Sequence, residues 1–236
     1  MKLFIPGPIS IRKEIALAQT KELIGHRSNE FKELMRKCSE GLQKILYTNN
    51  RVIISTSSGS GLMEGAIRNC VKEKVLICVC GAFGKKWASI AKACGKNVTI
   101  LNIEEGKAIK KEDLEKELEK DFEAVCITLN ETSTGIENNL EELIPIIKEK
   151  NILVLVDAVS GMCGTKIEVD KLKIDVCLAS SQKCFGLPPG LAFASISQEA
   201  LEKAKTINDR GYYFDFVELA KEYDLEQTPY TPAISL

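Results

Sequence analysis

Ile152-Leu153-Val154-Leu155-Val156-Asp157-Ala158-Val159-Ser160-Gly161 is an unbroken aliphatic run that ends on a carboxylate and a turn of small residues. A strand with no polar alternation is buried on both faces, the situation of parallel sheets covered by helices on each side. Six further runs repeat the pattern, at residues 52–55, 75–79, 98–101, 124–129, 176–180 and 191–196. Amphipathic stretches near residues 60–70, 83–95, 110–120 and 139–150 lie between several of them. The alternation predicts an α/β chain with a mostly parallel seven-stranded sheet and helices on both faces. Ligands of such sheets bind at the carboxyl ends of the strands, in the loops that lead into helices.

Residues 1–50 stand apart. They carry a Pro6-Gly7-Pro8 turn, a helical pattern over 11–20, Ile24-Gly25-His26-Arg27 and a second helix from Asn29, and read as an arm that wraps the domain or a partner subunit. Residues 51–210 hold the sheet. Residues 211–236 read as the start of a connection to a further domain: a helix over 214–223, then Gln227-Thr228-Pro229-Tyr230-Thr231-Pro232.

With 236 residues, 44% hydrophobic, and a net charge of -1, the chain is long enough for one large core and gives no electrostatic reason to expect nucleic acid or a membrane. The opening Met-Lys-Leu-Phe-Ile-Pro breaks too early for a secretory signal, and a cytoplasmic location is expected. Cys78, Cys80, Cys126 and Cys177 fall inside apolar runs and no paired Cys-x-x-Cys spacing occurs, so the nine cysteines read as reduced thiols and no metal is expected.

Several strand-end loops carry chemistry. The run 52–55 enters Thr56-Ser57-Ser58-Gly59-Ser60-Gly61, after which Leu62, Met63, Ala66 and Ile67 have helical spacing. Such a turn aims backbone N–H groups and hydroxyls at one point where the helix dipole favours an anion; a phosphate fits there, and so does an ordinary helix cap. Asp157 reads either as a carboxylate at the ligand edge or as a capping aspartate. Lys183 precedes Cys184-Phe185-Gly186-Leu187-Pro188-Pro189-Gly190, a loop poor in charge, where low solvation depresses an amine pKa. A nucleophilic amine and a buried acid are the two groups that pyridoxal 5'-phosphate requires, one for its aldehyde and one for its pyridine nitrogen. Asn130-Glu131-Thr132-Ser133-Thr134-Gly135 offers hydroxyls and amides at the same edge, and Phe83 reads as a stacking aromatic or a core residue. His26, the sole histidine, reads as structural.

In order along the chain, Ile5-Pro6-Gly7-Pro8, Ile24-Gly25-His26-Arg27, the Gly/Ser turn, Asn130 to Gly135, Asp157-Ala158-Val159-Ser160, Ser181-Gln182-Lys183-Cys184, Pro188-Pro189-Gly190-Leu191 and Gln227 to Pro232 resemble the class V (subgroup IV) pyridoxal-phosphate aminotransferases, which include serine-pyruvate, alanine-glyoxylate and archaeal aspartate aminotransferases. The resemblance implies the large domain of the fold type I transferases and a homodimer. It makes Lys183 the Schiff-base lysine, Asp157 the partner of the pyridine nitrogen and Val159 a packing residue on the ring. Phe83 would stack on the ring, Thr132 would bond its hydroxyl, and Ser58, Gly59, Ser60 and Gln182 would hold the phosphate, with Thr228, Tyr230 and Thr231 reaching the phosphate of the other subunit. The substrates implied are a small amino acid, such as alanine, serine or aspartate, and a 2-oxo acid, such as pyruvate or glyoxylate.

Three features depart from the family pattern. Ser57 and Ser60 stand where Gly and Thr are frequent, and Leu129 stands where His is common. The arginine that grips the substrate α-carboxylate belongs to a C-terminal domain, and none of Arg12, Arg27, Arg36, Arg51, Arg68 or Arg210 lies at its position. The chain therefore also reads as a truncated cofactor-binding or dimerisation remnant, and its cysteines leave open a cysteine desulfurase-like lyase of the same fold type.

Overall fold

In the computed structural model, which describes residues 2–236, all seven apolar runs are strands of one sheet. They are β1 (Arg51–Thr56), β2 (Lys74–Val79), β3 (Asn97–Asn102), β4 (Ala124–Thr128), β7 (Leu153–Asp157), β8 (Val176–Ser180) and β9 (Leu191–Ile196). Their order is β1-β9-β8-β7-β4-β2-β3, and only β9 runs antiparallel to its neighbours. A short hairpin, β5 (Asn130–Glu131) with β6 (Ile136–Glu137), grows from the end of β4 where the sequence reads as a loop.

The helices are α1 (Lys13–Ala18), α2 (Asn29–Leu46), α3 (Gly59–Cys70), α4 (Ala82–Ala93), α5 (Lys111–Glu117), α6 (Leu140–Lys148), α7 (Val169–Leu172), α8 (Gln198–Lys205) and α9 (Phe216–Asp224). Ser28 starts α2, its hydroxyl accepting from the Phe31 N–H at 3.3 Å, and Asp215 caps α9 in the same way through the Val217 N–H at 2.9 Å. No helix among the described residues is long and apolar enough to cross a membrane.

Alternation along each strand builds two apolar layers. Leu76, Cys78, Val125, Ile127, Val154 and Val156 face α2, α5, α6 and α7. Val75, Ile77, Ala124, Cys126, Leu155 and Leu178 face α3, α4, α8 and α9. Because side chains alternate at period two, a strand covered on both sides must be apolar at every position. Each such aliphatic side chain removed from water contributes about 1.5–3 kcal/mol. Phe216 and Leu219 of α9 join the second layer, so the segment after residue 211 packs back onto the sheet domain.

Candidate functional site

The same parity that sorts the core sorts the strand ends. Counting by twos from Leu155, Leu178 and Cys126 brings Asp157, Ser180 and Thr128 to the face of α3 and α4, at the carboxyl ends of three adjacent parallel strands. Each is buried, and Thr128 and Asp157 are register partners.

Asp157 is 3% exposed, and Oδ1 accepts a hydrogen bond from the Val159 N–H at 2.9 Å. Burial pushes its carboxyl up to about 6; the Val159 N–H, Lys86 and Lys183 pull it down and the Glu131 charge pushes it up. Lys183 is half-buried, and the loss of solvation lowers its amine pKa against the opposing pull of Asp157. Its loop is stapled by Ser181, whose hydroxyl donates to the Pro188 carbonyl at 2.5 Å and accepts from the Leu191 N–H at 3.3 Å. The arm reaches the same place: a Cβ built on Gly7 stands 2.8 Å from Lys183 Cδ.

The Gly/Ser turn runs from β1 into α3, with Ser58 extended at the cap position and its hydroxyl making no bond to the helix. The Gly61 N–H donates to the Ser58 carbonyl at 3.0 Å, and the Ser58 hydroxyl is left without a partner in the helix, which suits a turn that meets an anion. A Cβ on Gly59 would stand 2.6 Å from Val159 Cγ2 and 3.6 Å from Ser180 Oγ, so only glycine lets the helix start approach the Asp157 loop. Lys86 Nζ lies 3.5 Å from Ser60 Oγ and 4.9 Å from the centre of the Phe83 ring, with no carboxylate partner among the described residues.

Thr132 Oγ1 and Ser160 Oγ are 2.6 Å apart, and the Cys184 thiol donates to the Ser160 carbonyl at 3.4 Å, so the loops after β4, β7 and β8 are knitted together. Ser58, Gly59, Ser60, Phe83, Thr132, Asp157, Val159 and Lys183 thus converge on one edge, with Gln182 beside Lys183. Thr228, Tyr230 and Thr231 do not join them through any hydrogen bond among the described residues. Arg27 holds that segment, donating to the Thr228 carbonyl at 2.6 Å and to Gln227 Oε1 at 2.9 Å, and Tyr230 stacks on Tyr213 with ring centres 4.8 Å apart.

Of the six buried side-chain polar atoms without a partner among the described residues, four belong to Thr128, Asn130, Thr134 and Ser180, in or beside these loops. Unmatched buried polar groups gathered at one edge call for partners from outside the chain, such as ordered water or a polar ligand. No group of three or more metal-ligating side chains is gathered among the described residues. Ser181, Glu131 and Lys86 are additions to the residues expected from sequence.

Known proteins share this architecture. The family model described as aminotransferase class-V matches residues 14–232. An uncharacterized aminotransferase of Methanocaldococcus jannaschii is 38% identical over 99% of this chain and 62% of its own length. The soluble hydrogenase 42 kDa subunit of Anabaena cylindrica is 34% identical over 100% and 63%, and the L-aspartate–glyoxylate aminotransferase of Paracoccus denitrificans 31% over 99% and 61%. The chain therefore spans about three-fifths of the curated relatives it matches. Among solved structures, the subgroup IV aspartate aminotransferase of Thermus thermophilus superposes with a TM-score of 0.92 at 30% identity, over 100% of this chain and 67% of that one. The alanine–glyoxylate aminotransferase of Nostoc sp. gives 0.94 at 28%, over 98% and 63%. With its family model covering nearly the whole sequence and its sheet superposing on these enzymes, the chain belongs to the class-V aminotransferases, a pyridoxal-phosphate-dependent family.

Proposed function

We propose that this chain is the cofactor-binding large domain of a transaminase that moves an amino group from a small amino acid, such as alanine, serine or aspartate, to a 2-oxo acid such as pyruvate or glyoxylate. The observation that carries the reading is the convergence of a partly desolvated amine, Lys183, and a buried acid, Asp157, on the edge where α3 begins. The donor set suits pyridoxal 5'-phosphate: an anion-seeking turn, an acid for the pyridine nitrogen, an aromatic and unmatched hydroxyls.

When bound, that group supplies an aldehyde for the amino group and a ring that accepts the electrons released at the substrate α-carbon. Ser58, Gly59, Ser60 and Gln182 would hold its phosphate, Thr132 its ring hydroxyl, and Phe83 and Val159 its two faces. Asp157 would face the ring nitrogen and keep a proton there. Lys183, whose amine pKa is lowered by burial, would hold the group at its aldehyde and would offer Nζ to take up and return the substrate α-proton. In this reading residues 1–50 are an arm, 51–210 the cofactor domain and 211–236 a connection. Thr228, Tyr230 and Thr231 complete the site of a second copy in a cytoplasmic homodimer.

Adding pyridoxal 5'-phosphate to the purified protein is expected to give a visible absorption band that Lys183→Ala removes. A wild-type protein that is colourless after excess cofactor has been added and the unbound part removed overturns the proposal. Conversion of the bound cofactor by alanine, serine or aspartate identifies the donor; a yellow protein inert to all three supports a cofactor-binding remnant. Sulfide release from cysteine would favour the lyase reading, to which the buried thiols of Cys78, Cys126 and Cys177 lend nothing, since burial pushes their pKa values up.

A further inference from the structure

Helix α4 begins at the candidate site without a cap of its own. Gly81 occupies the cap position and has no side chain, so the first N–H groups of the helix need acceptors from elsewhere. The β5–β6 hairpin provides them, 47 to 51 residues along the chain. Glu131 Oε2 accepts from the Phe83 N–H at 2.9 Å and the Gly84 N–H at 3.1 Å. Ser133 Oγ accepts from the Ala82 N–H at 2.9 Å and itself donates to Glu131 Oε1 at 2.7 Å. The Ser133 N–H also donates to Oε1, at 3.2 Å.

Glu131 is fully buried, and a carboxylate without solvent persists only where donors surround it. The helix terminus supplies both the donors and a favourable dipole. Space for it exists because residue 81 is glycine: a Cβ there would lie 2.5 Å from Glu131 Cγ and 2.6 Å from Ser133 Oγ. The residue whose N–H is bound most closely by Glu131 is Phe83, so the carboxylate fixes the backbone from which that ring projects. Glu131 also belongs to the hairpin that carries Thr132, and one side chain thereby registers two ring-contacting residues on separate elements.

We infer that Glu131 is a positioning residue: through its bonds to the start of α4 it sets the Phe83 ring against the cofactor plane, with Ser133 as its relay. This rests on the reading that Phe83 stacks on the cofactor. The test is a double-mutant cycle in cofactor dissociation constants for the wild-type protein, Glu131→Gln, Phe83→Leu and the double variant, together with the circular dichroism of the visible band. Glu131→Gln is expected to weaken binding about tenfold, in keeping with bonds to a buried charge, and to reduce the visible dichroism. In the Phe83→Leu background the same change is expected to cost less than about twofold, because the residue it acts through is gone.

Trp87, the sole tryptophan, lies one turn along α4 and is fully buried, so its emission reports whether the helix stays docked. Should Glu131→Gln fail to fold, Ser133→Ala removes only the relay and is expected to show a smaller loss that also vanishes without Phe83. Losses that add independently in both series overturn the inference. A wild-type protein that binds no cofactor overturns the parent reading instead, so the two failures are distinguishable.

Discussion

Asp157, which closes β7, and Asp175, which leads into the neighbouring β8, are both buried carboxylates, 3% and 2% exposed, yet they sit at opposite ends of the sheet and are treated in opposite ways. Asp175, just before β8, is saturated: Oδ2 accepts from Lys148 Nζ and from the Val154 N–H, each at 2.7 Å, and Oδ1 from the Ser197 hydroxyl at 3.0 Å. Asp157, closing β7, accepts one side-chain bond among the described residues, from the Val159 N–H. Burial raises both carboxyls; at Asp175 a cation and several donors oppose it, whereas at Asp157 it carries the value to about 6. An acid that ties elements together meets its partners inside the fold. Asp157, proposed to meet the cofactor, has fewer partners, and its burial costs the unliganded protein stability where the carboxyl ionises.

The largest expected effect is at the saturated site. Asp175→Ala leaves the Val154 N–H and the Ser197 hydroxyl without their acceptor and separates Lys148 from its partner. Breaking a buried pair costs roughly 3–5 kcal/mol, and the low end applies because Lys148 is 20% exposed and its charge reaches water. Denaturant unfolding should show this loss, with cofactor affinity unchanged while the protein is folded. A loss under 1 kcal/mol would erase the contrast.

At the incomplete site the sign reverses. A carboxyl raised from 3.8 to about 6 on folding holds its proton more tightly in the native state. Below the lower value both states are protonated and nothing is lost. Across the interval the unfolded chain ionises first, and above about 6 the native state carries the full penalty, up to about 3 kcal/mol. Asp157→Asn is therefore expected to stabilise the cofactor-free protein by roughly 1–3 kcal/mol at pH 8 and by little at pH 4, while weakening the cofactor at least tenfold. Thermal unfolding at the two pH values, with and without cofactor, reads both. A variant less stable than wild type at pH 8 would show that Asp157 is structural, like Asp175.

The sheet was legible because strands covered on both faces need apolar residues at every position, and 152–156 or 176–180 have no other good explanation. The two-residue strands Asn130–Glu131 and Ile136–Glu137 carry too few positions for a period to emerge, and the four-residue α7 has the same difficulty. Helix α8 did carry a signal, Ser197 capping the Ala200 N–H at 3.0 Å before a Gln-Glu-Ala-Leu start, and it passes unnoticed behind the stronger strand before it. Lys183, Asp157 and the Ser58–Ser60 turn could be placed at one edge from strand ends alone. The loop that holds Glu131 could be placed there too, but not the role of its carboxylate, because its partners lie some 48 residues away and no local pattern marks a cap supplied by another element. Ser181 was hidden by its small size: a buried hydroxyl that staples a loop resembles any other serine. Arg27 likewise acts across 201 residues on the Thr228 carbonyl, a contact that only the folded chain brings about.

Lys86 gives the finest test of the comparison, because among the described residues it is a charge at the incomplete edge without a carboxylate partner such as Lys148 has. In the sequence it is one lysine among many on an amphipathic helix; in the fold its amine stands by Ser60 and over Phe83. An exposed cation at that distance interacts modestly with a phosphate, by up to about fivefold in affinity, and is screened by salt. Lys86→Met is expected to weaken pyridoxal 5'-phosphate by that factor in low salt, to leave pyridoxal unchanged, and to lose its effect at high ionic strength. The selectivity matters more than the size, since an amine that serves the ring through Phe83 would weaken both compounds alike. Equal losses would assign Lys86 to the ring end, and no loss at any salt concentration would return it to the ordinary solvated face of α4.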